Sequence, residues 1–140
     1  MMQETRTQIP GLLEHIAAAC AFVGKAAQDA GLDERTAYHC QLAVDEACTN
    51  IIEHGYQLKG ADKIIDIICR YDFRAFAIIL IDDGPPFNPL QRESPNPKAA
   101  LHERTTSGGW GIHFIRQMMD DVHYEWRGRN YFSMVKRRIG

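Results

Sequence analysis

Between Gly11 and about Ala30 the apolar side chains Leu12, Leu13, Ile16, Cys20 and Val23 recur at intervals of three and four. That spacing lays them along one stripe and predicts an amphipathic helix closed by Gly31. A second helix is predicted immediately after it. Asp33 is a good N-cap, and Ala37, Leu42, Val44, Ala47, Cys48, Ile51 and Ile52 carry the pattern to Gly55, a natural stop. The composition then turns to β-branched and aromatic residues. "KIIDIICRYD" and "FRAFAIILID" predict two strands, with the polar "RYDFR" between them making a hairpin. Further on, "WGIHFIRQMMDD" returns to helical spacing with Ile112, Ile115, Met118 and Met119 inward. "VHYEWRGRNYFSMVKRR" predicts a second hairpin around the turn "RGRN". The order helix, helix, strand, strand, loop, helix, strand, strand predicts an α+β fold, a two-layer sandwich with helices on one face of a mostly antiparallel sheet.

The loop changes the picture. Residues 83–109, "DGPPFNPLQRESPNPKAALHERTTSGG", hold five of the six prolines, and a connection of that length is either a linker or a functional lid. The segment after it is too short for a separate domain, which favours a lid at about residues 84–109. A chain of 140 residues, 45% hydrophobic, is the size of one ordinary domain. Sixteen basic against eighteen acidic residues give a net charge of −2, with no basic stripe interleaved with aromatics, so direct nucleic-acid binding is not expected. Cys20, Cys40, Cys48 and Cys69 form no CxxC pair and read as reduced core thiols. The N-terminus lacks a signal-peptide pattern and no apolar run could span a bilayer, so the expectation is a cytoplasmic protein without a membrane partner.

Three stretches could carry chemistry. In "DEACTNIIEHGY", Glu46, Asn50 and His54 follow one another at intervals of four, which stacks them on one helix face. Such a face can simply be solvated. It can equally line a pocket, with the Asn50 oxygen a hard ligand suited to Mg²⁺ and Glu46 a base toward a hydroxyl or water. His54, in the last turn, fits better as a partner of terminal carbonyls. In "IILIDDGPPFNP" a strand ends at Asp82 and Asp83 before Gly84 and two prolines. Asp, Gly and Pro are ordinary turn residues. A buried carboxylate there could also accept a hydrogen bond from an exocyclic amine, and would reject a base with a carbonyl at that position because two acceptors would face each other. In "TTSGGWGIHFIRQ", Gly108, Gly109 and Gly111 precede a helix. They make either a hinge or a close approach of backbone to a phosphate at the helix N-terminus. Neither a Walker A sequence nor a dinucleotide fingerprint is present.

Taken in order, a helix with Glu and Asn, a strand ending in Asp-x-Gly, a long lid, and Gly-x-Gly before a helix resemble the ATP-binding fold shared by gyrase, the ninety-kilodalton heat-shock chaperones, histidine kinases and MutL proteins (the Bergerat-type or GHKL fold). Within it the chain looks most like the small bacterial anti-sigma factor serine/threonine kinases, over about residues 9–137. "LAVDEACTNIIEHGY" matches the family's N box, "DDGPPF" a common form of its first glycine box, and "GGWGIHFIRQMMDDVHYEW" the second box with the strand after it.

The resemblance implies specific roles. Asn50 would hold the Mg²⁺ that bridges the ATP phosphates, and Glu46 would be the catalytic base toward a serine hydroxyl. Asp82 would accept the adenine amino group, with Gly84 permitting close approach. Gly108, Gly109 and Gly111 would admit the phosphates, and Arg104, Thr105, Thr106 and Ser107 are candidate phosphate contacts in the lid. The second glycine of the usual Asp-x-Gly-x-Gly pattern is Pro86 here, which implies a stiffer start to the lid. The implied activity is transfer of the γ-phosphoryl of ATP to a small anti-anti-sigma antagonist by a protein that also binds a sigma factor, with a homodimer as a further implication. The alternative is a nucleotide-gated protein-binding regulator of the same fold without transfer.

Overall fold

The structure is a computed structural model and describes residues 1–91 and 109–138. Five strands pair antiparallel in the order β1-β2-β3-β5-β4. They are β1 (Gln3–Gly11), β2 (Gly60–Tyr71), β3 (Ala75–Asp82), β4 (Asp121–Trp126) and β5 (Asn130–Arg137). Among the described residues, the helices α1 (Ile16–Asp29), α2 (Glu34–Asn50) and α3 (Gly109–Met118) complete the α+β sandwich. Every second residue of the central strands is buried: Ile65, Ile67 and Cys69 of β2, Phe76, Ile78 and Leu80 of β3, Phe132 and Met134 of β5. This period of two meets the helical stripes of Ala19, Val23 and Ala27, of Cys40, Val44 and Cys48, and of Ile112 and Ile115 in one core. The expected inward residues of α3 hold, with Met119 buried and Met118 packed partly against the core.

Both predicted helix boundaries at the α1–α2 junction are made by the residues named for them. Gly31 has φ +87. The Gly31 N–H donates to Gln28 O at 2.9 Å and the Leu32 N–H to Ala27 O at 3.0 Å, the double closure of a Schellman motif. Asp33 then caps α2, its Oδ1 accepting from the Thr36 N–H at 2.7 Å. A side chain at position 31 would be forced into the left-handed region, so Gly31→Ala lowers folding stability by about 1–2 kcal/mol. The check is a urea midpoint that falls with an unchanged slope.

Two elements differ from the sequence-based expectation. Gln3–Gly11 is a strand, and the first helix proper begins only at Ile16 after a 3-10 turn over Leu13–His15. β1 is a sheet edge held by backbone pairing to β2, with Glu4 facing Arg70 at 2.6 Å and only Ile9 and Gly11 buried. An edge strand that faces water on most of its positions shows no apolar alternation, and Pro10 is tolerated at an edge. The second departure lies at the end of α2. The α-helical spacing stops at Asn50, and Ile51–Gly55 form a π turn, with the Tyr56 N–H donating to Ile51 O at 2.8 Å.

Cys40, Cys48 and Cys69 are buried and Cys20 half-buried, all as free thiols. Burial pushes Cys20 and Cys40 up to about 11 and Cys69 up to about 12, which keeps them protonated and unreactive at neutral pH. Among the described residues no helix is long and apolar enough to cross a membrane.

Candidate functional site

The cleft lies where α2, the end of β3 and the start of α3 converge. Its walls include Asn50, Gly55, Asp82, Ile112, Tyr124 and Asn130. Asp82 closes β3 and is only 5% exposed. Its Oδ1 accepts from the Gly84 N–H at 2.9 Å and from Asn130 Nδ2 at 3.0 Å. Oδ2 has no partner among the described residues and remains an acceptor on the cleft wall. Burial raises the Asp82 carboxyl above its ordinary range, opposed by the two hydrogen bonds.

The corner after Asp82 is held from three sides. A Cβ on Gly84 would stand 3.0 Å from Asp82 Oδ1 and 3.2 Å from Gly55 O, so any side chain there would push this corner apart by a few tenths of an ångström. The Tyr56 hydroxyl donates to Ile64 O at 2.5 Å and accepts from the Asp83 N–H at 3.0 Å. Arg129, at the turn between β4 and β5, grips Asp83 at 2.6 Å and Asp66 at 2.9 Å.

On the opposite wall, α2 meets the start of α3. A Cβ built on Gly111 would lie 3.0 Å from Glu46 Oε2 and 3.3 Å from Asn50 Nδ2. The missing side chain is thus what lets the α3 backbone approach both polar groups. Asn50 is 9% exposed, and its Nδ2 is buried without a hydrogen-bond partner among the described residues. A buried amide without a partner is costly, and a ligand or water entering the cleft could satisfy it. Glu46 is half-buried. Burial first, then the charges of Asp45 and Glu53, raises its carboxyl above the usual range. Gly111→Val places a branched side chain where these groups meet and is expected to weaken binding of a ligand on this wall of the cleft roughly tenfold in a calorimetric titration, about 1.4 kcal/mol.

The structure therefore brings Glu46, Asn50 and Gly111 together, and Asp82 with Gly84 across the cleft. Gly109 is the first residue of α3. Arg104, Thr105, Thr106, Ser107 and Gly108 lie outside the described residues. His54 lies in the π turn that follows Asn50. Its ring lies against Phe87 with centroids 6.4 Å apart rather than on helix carbonyls. Two residues of the corner have no role in the motifs: Asn130 lies outside them, and Tyr124 only in the strand that follows the second glycine box. Asn130 closes the turn "RGRN" expected from sequence, yet it is the first residue of β5, 4% exposed and paired in register with Asp82. A buried asparagine opposite a strand-ending aspartate becomes visible only once the strands are paired.

Residues 9–136 match the family model described as a histidine kinase-like ATPase domain. The chain belongs to this family. It is similar to the serine-protein kinase RsbW of Bacillus thuringiensis (strain Al Hakam), 27% identical over 123 residues that cover 86% of this chain and 76% of that protein. The serine-protein kinase RsbW of Bacillus pumilus (strain SAFR-032) is 31% identical over 101 residues, 69% of this chain and 62% of that protein. The relatedness reaches from the end of β1 to the end of β5 and so includes both walls of the cleft. The domain is of an ATP-binding type, and its kinship is with the anti-sigma factor kinases.

Proposed function

We propose that this histidine kinase-like domain is an ATP-dependent serine/threonine protein kinase. In this reading it transfers the γ-phosphoryl of ATP to a hydroxyl of a small anti-anti-sigma antagonist and binds a sigma factor in alternation with it. The observation that carries the reading is the convergence of Glu46, the orphaned Asn50 amide and the side-chain-free Gly111 on one wall, facing the buried Asp82 on the other.

The residues fit the implied metal and nucleotide. A half turn of the Asn50 amide presents its oxygen in place of the unpartnered nitrogen, a hard ligand appropriate to Mg²⁺. The described residues contain no cluster of three His, Cys, Asp or Glu that could hold a metal alone. Mg²⁺ suits such a site, since it is commonly held by one or two protein oxygens together with substrate phosphates and water. Bound there, the cation would neutralise charge on the phosphates. Asp82 would accept the adenine amine and exclude a carbonyl. Gly109, Gly111 and the first N–H groups of α3 would receive the phosphates, with Arg104, Thr105, Thr106, Ser107 and Gly108 as further contacts from the lid. Glu46 would take the proton from the acceptor hydroxyl as its oxygen bonds to the γ-phosphorus and the bond to the β-phosphate oxygen breaks, releasing ADP. The same reading makes the protein cytoplasmic, and a homodimer is compatible with it.

The test is incubation with γ-labelled ATP, Mg²⁺ and an antagonist protein bearing the acceptor serine, beside Asn50→Ala. Label should appear on the antagonist only with the parent protein and only with Mg²⁺. Nucleotide binding without transfer would replace the kinase reading by a nucleotide-gated protein-binding regulator.

A further inference from the structure

Residues 84–91 have little means of anchoring themselves. Pro85, Pro86 and Pro89 carry no N–H, so this stretch cannot add to the sheet as a strand. Its polar backbone groups instead converge on one side chain. Asn130 Nδ2 lies 3.0 Å from Asp82 Oδ1, 3.0 Å from Gly84 O and 3.1 Å from Pro85 O. Asn130 Oδ1 accepts from the Phe87 N–H at 3.2 Å and from the Tyr124 hydroxyl. The Phe87 N–H is also 3.2 Å from the Tyr124 oxygen. The Phe87 ring is partly exposed and rests against His54, while its amide is held by Asn130 and Tyr124.

We propose that Asn130 is a positioning residue that fastens the root of the lid, residues 84–87, to the carboxylate that selects the base, so that base recognition and lid-root geometry depend on one another. This rests on the nucleotide reading of the cleft. An amide nitrogen has two protons and three acceptors surround this one, so the share given to Gly84 O and Pro85 O is drawn from Asp82. With Asn130 in place, Asp82 Oδ1 is committed and Oδ2 is the oxygen left for a donor on the ligand. Without it Asp82 keeps only the Gly84 N–H bond, its carboxylate is free to turn, and an amine is no longer distinguished sharply from a carbonyl. Aspartate at this position would keep the acceptor and lose the donors, whereas leucine would lose both. Asparagine supplies a donor end toward Asp82 and an acceptor end toward Phe87 in a buried place where neither group can turn to water.

The experiment combines two readouts on the parent chain, Asn130→Ala, Asn130→Ser and Tyr124→Phe, each first shown to melt cooperatively. One is hydrogen exchange of the Phe87 amide by NMR without nucleotide. The other is the ratio of affinities for ATP and inosine triphosphate, which carries a carbonyl where adenine carries its amine. The parent should protect the Phe87 amide and prefer ATP. Asn130→Ala should speed exchange at Phe87 and reduce the ATP preference, each by about tenfold, the size expected for one buried hydrogen bond. Asn130→Ser, with a hydroxyl donor for Asp82 but no reach to Phe87, should recover part of the preference and none of the protection. Tyr124→Phe, which leaves the Phe87 N–H to Asn130 Oδ1 alone, should keep the Phe87 amide protected, and exchange as fast as in Asn130→Ala would assign the tether to Tyr124 instead. An Asn130→Ala protein with the parent's Phe87 exchange overturns the tether. One that loses affinity for both nucleotides equally overturns the positioning role. A parent that binds neither nucleotide removes the nucleotide reading and the coupling together, while Phe87 exchange still decides the tether.

Discussion

Asp82→Asn should weaken ATP binding by about 2–3 kcal/mol, roughly 30- to 150-fold, in a calorimetric titration, with the melting transition preserved. The loss follows from how the carboxylate is used. Two donors, the Gly84 N–H and Asn130 Nδ2, already point at Oδ1. An asparagine at position 82 must turn its oxygen to them, which leaves its NH₂ facing the adenine amine, donor against donor. The pH dependence has a defined sign. Burial raises the Asp82 carboxyl above the unfolded value of 3.8, so the native state binds its proton more tightly than the unfolded chain does. The ionised form therefore costs stability as pH climbs through the raised value, and Asp82→Asn removes that cost at neutral pH. The amine needs the ionised form, so ATP affinity of the parent should fall on acidification, beginning above the ordinary carboxylate range. A variant that titrates like the parent at every pH would show that Asp82 does not hold the base.

The second large effect is on transfer. Glu46→Gln should bind ATP within about twofold of the parent and transfer phosphoryl about 10²- to 10⁴-fold more slowly, the range in which a positioned general base contributes. Burial first, then Asp45 and Glu53, lifts the Glu46 carboxyl. A base works deprotonated, so the parent's transfer rate should rise with pH along a limb centred above the ordinary glutamate value, and Glu46→Gln should flatten that limb. Initial rates with γ-labelled ATP across a pH series measure both. Transfer at the parent rate by the glutamine variant would exclude Glu46 as the base.

The residues that announced themselves in sequence share a physical character: each breaks a local pattern. Asp33 and Gly31 stand at the ends of apolar periodicities, Asp82 interrupts an aliphatic run, and Gly111 is a poor helix former inside a helical pattern. The other features depend on pairing with distant parts of the chain. β1 is polar because it is an edge, and only its ladder with β2 identifies it. Ile51–Gly55 looks α-helical in composition, and its wider turn is set by what Tyr56 and Gly55 must reach. Asn130 resembles any polar residue after a glycine turn until β5 is laid against β3. The interval of four that joins Glu46 to Asn50 gives no hint that the helix widens to a π turn just beyond it.

The sheet order has a consequence for how the molecule assembles. β2 and β3 are neighbours in sequence as well as in the sheet, joined at Asp72, whose Oδ1 accepts from the Arg74 and Ala75 N–H groups. Such a hairpin closes over a short loop and can form early. The strands that flank it, β1 on one side and β5 on the other, pair with partners 48 to 68 positions away along the chain. Closing those longer loops carries more entropy than closing the hairpin. The Asp82–Asn130 pair straddles the β3–β5 seam, so the cleft is completed by one of the late steps. A ligand that bridges that seam would act mainly on the rate of unfolding, lengthening the lifetime of the native state more than it hastens its formation.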